Sequence, residues 1–234
     1  LTFTLPQELR DLARSHQKKL YSLLFRASAS ATQELALDPR LLGGHIGMIG
    51  VLHTWARDMS YHPHIHYLVP AGALSLDDSL WLRCHNNNYF LPTKPLAILF
   101  RAKFRDGLKQ CDLFSEVIPE VWSKDWVVHC KAIGRGLSAL KYLAPYIFRV
   151  AISNNRILKM SDTHLTFRYR STKTGKIKTC VVSAEEFIRR FLQHVLPKGF
   201  VKVRYYGIWH PANRQLLRQV QLLTGASQLS AATQ

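Results

Sequence analysis

Residues 61–69 read YHPHIHYLV, with His62, His64 and His66 at every second position of an apolar stretch. Side chains alternate faces along a strand, so the three imidazoles are expected on one face. Neighbours two apart can share a cation, whereas His62 and His66 stand about 13 Å apart at about 3.3 Å per residue. A third ligand should therefore come from another strand. Residues 56–60 read as a polar turn between HIGMIGVLHTW (45–55) and YHPHIHYLVPAGALS (61–75), a hairpin pattern. If Trp55 faces His62, then His53 comes opposite His64 on the same side. The candidate metal set is His64, His66 and His53, with Asp58 as a substitute ligand, since imidazole nitrogens commonly hold metal ions. Surface or structural histidines would fit the same alternation.

A second constellation lies in YLAPYIFRVAISNNRIL (142–158). Tyr142 and Tyr146 are four residues apart and Arg149 lies one further turn on, so a helix would put all three on one face. A phenol with an ordinary pKa near 10 needs help to act as a nucleophile. A histidine-held cation could polarise a phosphate for attack, and an arginine could absorb the developing charge. Core packing is the alternative use of these rings. Pro145 interrupts the pattern, because proline removes a backbone donor and clashes with the carbonyl four residues earlier, that of Lys141. Either the helix is kinked there or it starts near Ala144, in which case Tyr142 and Tyr146 no longer share a face; Tyr146 is helical in both.

The bulk numbers point to a polyanionic partner. Lys and Arg number 32 against 15 acids, a formal charge of +17 in 234 residues. Between Lys141 and Arg218 there are 16 basic residues and only Asp162, Glu185 and Glu186 on the acidic side. Such a basic half fits nucleic acid. No apolar run approaches 18 residues, which disfavours a membrane partner. Cys84, Cys111, Cys130 and Cys180 are widely spaced, with no metal or disulfide framework. The first residues do not resemble a secretion signal. They begin without Met inside a strand-like segment, as expected for a piece of a longer protein.

The positioning elements read as an α+β chain with antiparallel strands. Expected are a strand at 2–5, a helix over 6–35, the hairpin at 45–75, edge strands within 79–92 and helices at 94–110 and 136–151. A second hairpin is expected at 164–182 with its turn at Lys173–Gly175, followed by an amphipathic helix at 184–196 and a last strand at 201–209. Residues 1–223 are read as one domain and 224–234 as a flexible tail. Cations with aromatics between them suit single-stranded DNA. Arg168, Arg170, Lys176, Lys178, Lys202 and Arg204 fit that role, with Arg149 and Arg156 nearer the chemistry. Alternation puts Phe167 and Tyr169 opposite Arg168 and Arg170, either as core or as stacking platforms.

The chain resembles the rolling-circle transposases of the two-tyrosine HUH type, the insertion-sequence ninety-one group. The likeness is carried by FTLPQEL, LHTWARDMSYHPHIHYLVPAGALS, YLAPYIFRVAISNNRIL, LTFRYR and AEEFIRRFLQHVLPKGFVKVRYYG. It implies an HUH endonuclease-like fold, a central antiparallel sheet flanked by helices. His64 and His66 match the family's metal-holding pair, for a divalent ion, Mg²⁺ or Mn²⁺. Tyr142 and Tyr146 match its nucleophiles, each attacking single-stranded DNA at transposon ends or target to leave a 5′-phosphotyrosine and a free 3′-hydroxyl. The family's cysteine-rich zinc-binding segment would precede Leu1, so the likeness is to the catalytic domain. The implied location is the bacterial cytoplasm, with the nucleoid. Competing readings are a catalytically inactive DNA-binding remnant, a related replication initiator or relaxase, and a hydrolase acting through metal-bound water.

Overall fold

The computed structural model describes residues 1–84, 90–134, 136, 139, 141, 147, 151–171 and 174–226. Tyr142, Pro145, Tyr146 and Arg149, with most of the helix expected at 136–151, lie outside the described residues, as does Lys173 of the second hairpin's turn.

The chain opens with β1 (Thr2–Thr4). The long helix expected over 6–35 is divided: a 3₁₀ turn (Gln7–Leu9) leads into α1 (Arg10–Ser15), then α2 (Gln17–Ala36). The break falls at His16, whose φ of −122° and ψ of 43° are not helical. After β2 (Gly44–His45) come β3 (Gly47–Trp55) and β4 (Tyr61–Leu68). The run expected to 75 stops short of Pro70, which has no backbone donor, and resumes as β5 (Gly72–Ser75). β5 joins β2 and β6 (Trp81–Arg83) in a separate small sheet. α3 (Thr93–Gln110), α4 (Glu120–Ser123) and β7 (Val128–His129) follow.

The central sheet has the order β11-β3-β4-β1-β7, where β11 is Val203–Gly207, and its pairs are antiparallel. In β4 the alternation is complete: Tyr61, Pro63, Ile65 and Tyr67 are buried, and His62, His64, His66 and Leu68 are half-buried. The buried side packs with α2 and α3 through Phe3, Phe25, Phe100 and Phe104. A side chain at Gly50 would meet the Tyr67 ring at 2.5 Å. The bare backbone there lets Tyr67 cross under β3 and bond Ser28 Oγ at 2.8 Å, tying α2 to the sheet.

A second unit comprises β8 (Ile157–Met160), β9 (His164–Arg170) and β10 (Ile177–Ser183), all antiparallel. It continues into α5 (Ala184–Leu192), where Ser183 Oγ accepts from the Glu186 N–H at 3.1 Å, an N-cap. This helix ends before the expected 196. A further helix, α6 (Arg214–Leu223), was not anticipated; Pro211 at the start of the preceding 3₁₀ turn is its sequence signal. The fold is α+β, with a central antiparallel sheet flanked by helices.

Candidate metal and nucleic-acid site

The face of the central sheet turned away from α2 and α3 gathers the imidazoles. In the register His53 stands opposite His64, Val51 opposite His66 and Leu52 opposite Ile65. The two central strands thus put His53 beside His64 and His66, as the hairpin reading expected. The start of the hairpin differs: Trp55 faces Tyr61, not His62, because of a bulge beyond His53. His62 and Pro63 together oppose Thr54 there. Proline is tolerated inside β4 because Leu5 N–H donates to the Pro63 carbonyl just where β1 has ended. No reciprocal bond is needed.

Ligand nitrogens of His53, His64 and His66 all lie within 4.8 Å of one another. Among the described residues this is the one such group of three or more histidine, cysteine or acidic side chains. Their rings are close, 4.9 Å between the centroids of His64 and His66 and 5.2 Å between His53 and His66. The surroundings orient them. His64 Nδ1–H donates to the His62 carbonyl at 2.6 Å, which leaves Nε2 with the lone pair. Thr2, opposite His66 on β1, brings Oγ1 to 3.0 Å from His66 Nδ1. With the hydroxyl accepting, His66 too presents Nε2. Such partners fix tautomer and ring direction in metal sites. His53 is 3% exposed and stacks on Trp55, 4.8 Å between centroids. Burial pushes the pKa of His64 down and that of His62 to about 4, the latter helped by the charges of His64 and Arg10. The neutral ring is the form that binds a cation. The residues present therefore fit a divalent ion.

His62 belongs to the same row but not to the set. Arg10 donates through Nη2 to His62 Nδ1 at 2.7 Å, so its proton sits on Nε2. Asp58 stays in the hairpin turn, where Ser60 donates to its Oδ1 from both N–H (3.1 Å) and Oγ (2.7 Å). Burial opposes its ionisation, but these bonds and Arg190 outweigh that and leave its pKa lowered. It is not part of the imidazole group.

The buried phenols of this region are poor nucleophiles. Tyr61 and Tyr67 occupy the opposite, buried side of β4. Burial pushes both pKa values up, and that of Tyr21, hydrogen-bonded to Tyr61 at 2.6 Å, to about 12.

The basic candidates divide into two kinds. Arg168, Arg170, Lys176 and Lys178 are exposed on and beside the three-stranded sheet. Phe167 behind them is fully buried with Leu165 and Val182, so the core reading of that face applies. Arg156 is a clamp: Nε donates to the Arg168 carbonyl at 3.0 Å and Nη2 to that of Arg57. Arg204 pairs with Gly50 and so faces the helices. Its guanidinium lies 4.5 Å from the Phe25 ring centre and donates to Ser22 Oγ at 3.2 Å. Lys202 is half-buried just before β11, its carbonyl bonded to the Leu52 N–H. Thr2 and Arg10 escaped the sequence reading. No spacing rule links residues 64 and 52 positions apart.

Residues 47–216 match the family model Y2_Tnp, described as "Putative transposase". The chain is 37% identical over 248 residues to "Putative transposase y4qJ" of Sinorhizobium fredii (strain NBRC 101917 / NGR234), an alignment covering 97% of this chain and 62% of the relative. It is 25% identical over 221 residues to "Transposase for insertion sequence element IS801" of Pseudomonas savastanoi pv. phaseolicola, covering 88% of this chain and 53% of that one. The chain thus spans under two thirds of each relative's length. No solved structure matches it. Among the described residues no helix is long and apolar enough to cross a membrane.

Proposed function

The chain belongs to the Y2_Tnp transposase family, and from that premise we propose that it nicks and transfers single-stranded DNA through a phosphotyrosine intermediate, as in rolling-circle transposition of the two-tyrosine HUH type. The observation that carries this reading is the three-imidazole cluster on the side of the central sheet away from its backing helices. A divalent ion held by His53, His64 and His66 would polarise a non-bridging oxygen of the scissile phosphate. An all-nitrogen set holds Mn²⁺ better than Mg²⁺, which prefers oxygen ligands.

The chain's own residues supply the rest. Tyr146, with Tyr142 as its partner for the second strand end, supplies the attacking phenolate oxygen, and its proton passes to solvent. The new bond joins that oxygen to phosphorus, and the bond from phosphorus to the 3′ oxygen breaks. A 3′-hydroxyl is released and the 5′ phosphate stays on the protein. The ester keeps the bond energy, so reversal onto a second 3′-hydroxyl needs no nucleotide triphosphate. The buried, raised-pKa phenols on the far face of β4 support assigning this task elsewhere. Arg149, with Arg168, Arg170, Lys176 and Lys178, holds the strand's phosphates. The substrate is single-stranded DNA at transposon ends and target, met in the cytoplasm at the nucleoid.

The test is a labelled single-stranded oligonucleotide panel with Mn²⁺, resolved on a denaturing gel. The wild type is expected to form a covalent adduct, Tyr146→Phe none. His64→Ala and His66→Ala should abolish the adduct while retaining most DNA binding. Undiminished nicking by either histidine variant overturns the metal assignment. A cleaved product with no protein attached overturns the tyrosine route.

A further inference from the structure

Where α1, the hairpin turn and α5 converge, a cleft of about 560 Å³ opens beside the imidazole row. We propose that this cleft holds one unstacked base of the DNA strand and so selects the nucleotide next to the cleaved phosphate. The proposal rests on the strand-cleaving reading above for its purpose, though not for its test. The volume lies within the range of small-ligand pockets. The lining is the informative part: four guanidiniums face three carboxylates, with the amides of Gln7 and Gln193 between them. A groove for phosphates would need a clear cationic excess. Near-balanced donors and acceptors instead match the edge of a heterocycle, where sequence is read.

The groups are also held in place. Arg14 lies with its guanidinium carbon 5.1 Å from the centre of the Tyr61 ring and pairs with the exposed Asp11 at 3.3 Å. A planar cation lying over a ring is a surface on which a base can stack. Across the cleft, Arg190 is anchored by Glu186 at 2.7 Å and reaches the Asp58 carbonyl at 3.5 Å. Arg10 connects the cleft to the chemistry. It lines the cleft and donates to His62, whose ring is 5.1 Å from that of His64. Its Nε is buried and has no hydrogen-bond partner among the described residues. A strand with one phosphate at His64 and His66 therefore meets Arg10 and then the cleft.

The test is an affinity scan without divalent ion, using a fluorescent oligonucleotide that the wild type binds, with one abasic position moved along its length. Wild-type affinity is expected to fall about 10-fold at a single position. In Arg14→Ala and in Gln7→Ala, intact and abasic strands should bind alike at that position. Melting temperatures of both variants establish that they are folded. A wild type with no sensitive position overturns the proposal, as does a sensitivity that survives in both variants. Because this readout needs neither metal nor cleavage, a failure of adduct formation would sink the strand-cleaving reading and leave the base pocket standing.

Discussion

The central sheet and the smaller sheet of β8, β9 and β10 are stabilised differently. The central sheet is backed by α2 and α3 through a continuous cluster of aromatic and aliphatic side chains. Among the described residues, five make up the buried core under the smaller sheet, and one of these, Met59, comes from the central hairpin. Three successive carbonyls of that turn receive donors from the smaller unit: Arg57 from Arg156, Asp58 from Arg190 and Met59 from His194. Met59 itself has φ of 65° and is fully buried. The core of the smaller sheet is thus completed by its neighbour. An imidazole platform on a large core is combined with a basic unit whose own described core is small.

The contrast can be broken most severely at Phe167, among the described residues the one fully buried aromatic of the smaller core. Phe167→Ala should cost about 3–5 kcal/mol. Amide exchange should accelerate in β8–β10 and remain slow in β3 and β4; equal acceleration in both would make the two sheets one cooperative unit. A smaller loss is expected at His194, buried between Thr54 Oγ1 (3.2 Å) and the Met59 carbonyl (3.1 Å). His194→Ala strands both partners, about 1–3 kcal/mol by thermal unfolding. Burial holds the His194 pKa below its ordinary value. The unfolded chain therefore takes up the proton first, and stability contributed by the neutral ring is lost as pH falls below about 6.5. The variant should show a shallower loss between pH 7 and pH 5.

Milder changes sharpen the contrast. Thr2→Val removes the partner of His66 and should weaken Mn²⁺ binding about 10-fold by titration, with little change in melting. Arg168→Ala, on the open side of the smaller sheet, should reduce the salt dependence of single-strand binding by about 0.7 in log–log slope. An unchanged slope would remove that face from the strand's path.

Local periodicity made much of this legible. Alternation placed His62, His64 and His66 on one side, and the hairpin brought His53 opposite His64. The polar–apolar pattern of 94–110 marked α3. What escaped depends on groups distant in sequence or on backbone detail. The break at His16 lets α1 turn so that Arg10 can reach His62, and no local pattern encodes that contact. Phe167 and Tyr169 read equally as stacking platforms or as core until Met59 is seen packing against the same cluster. The bulge that moves Trp55 opposite Tyr61 is invisible to a two-residue period.

That bulge has a wider consequence. Three evenly spaced, chemically identical rings on a regular strand would be interchangeable, competing for any cation that arrived. One extra residue in β4 ends their equivalence, leaving two with their partners on the ladder and handing the third to a guanidinium. A repeat in sequence thereby becomes a division of labour in space.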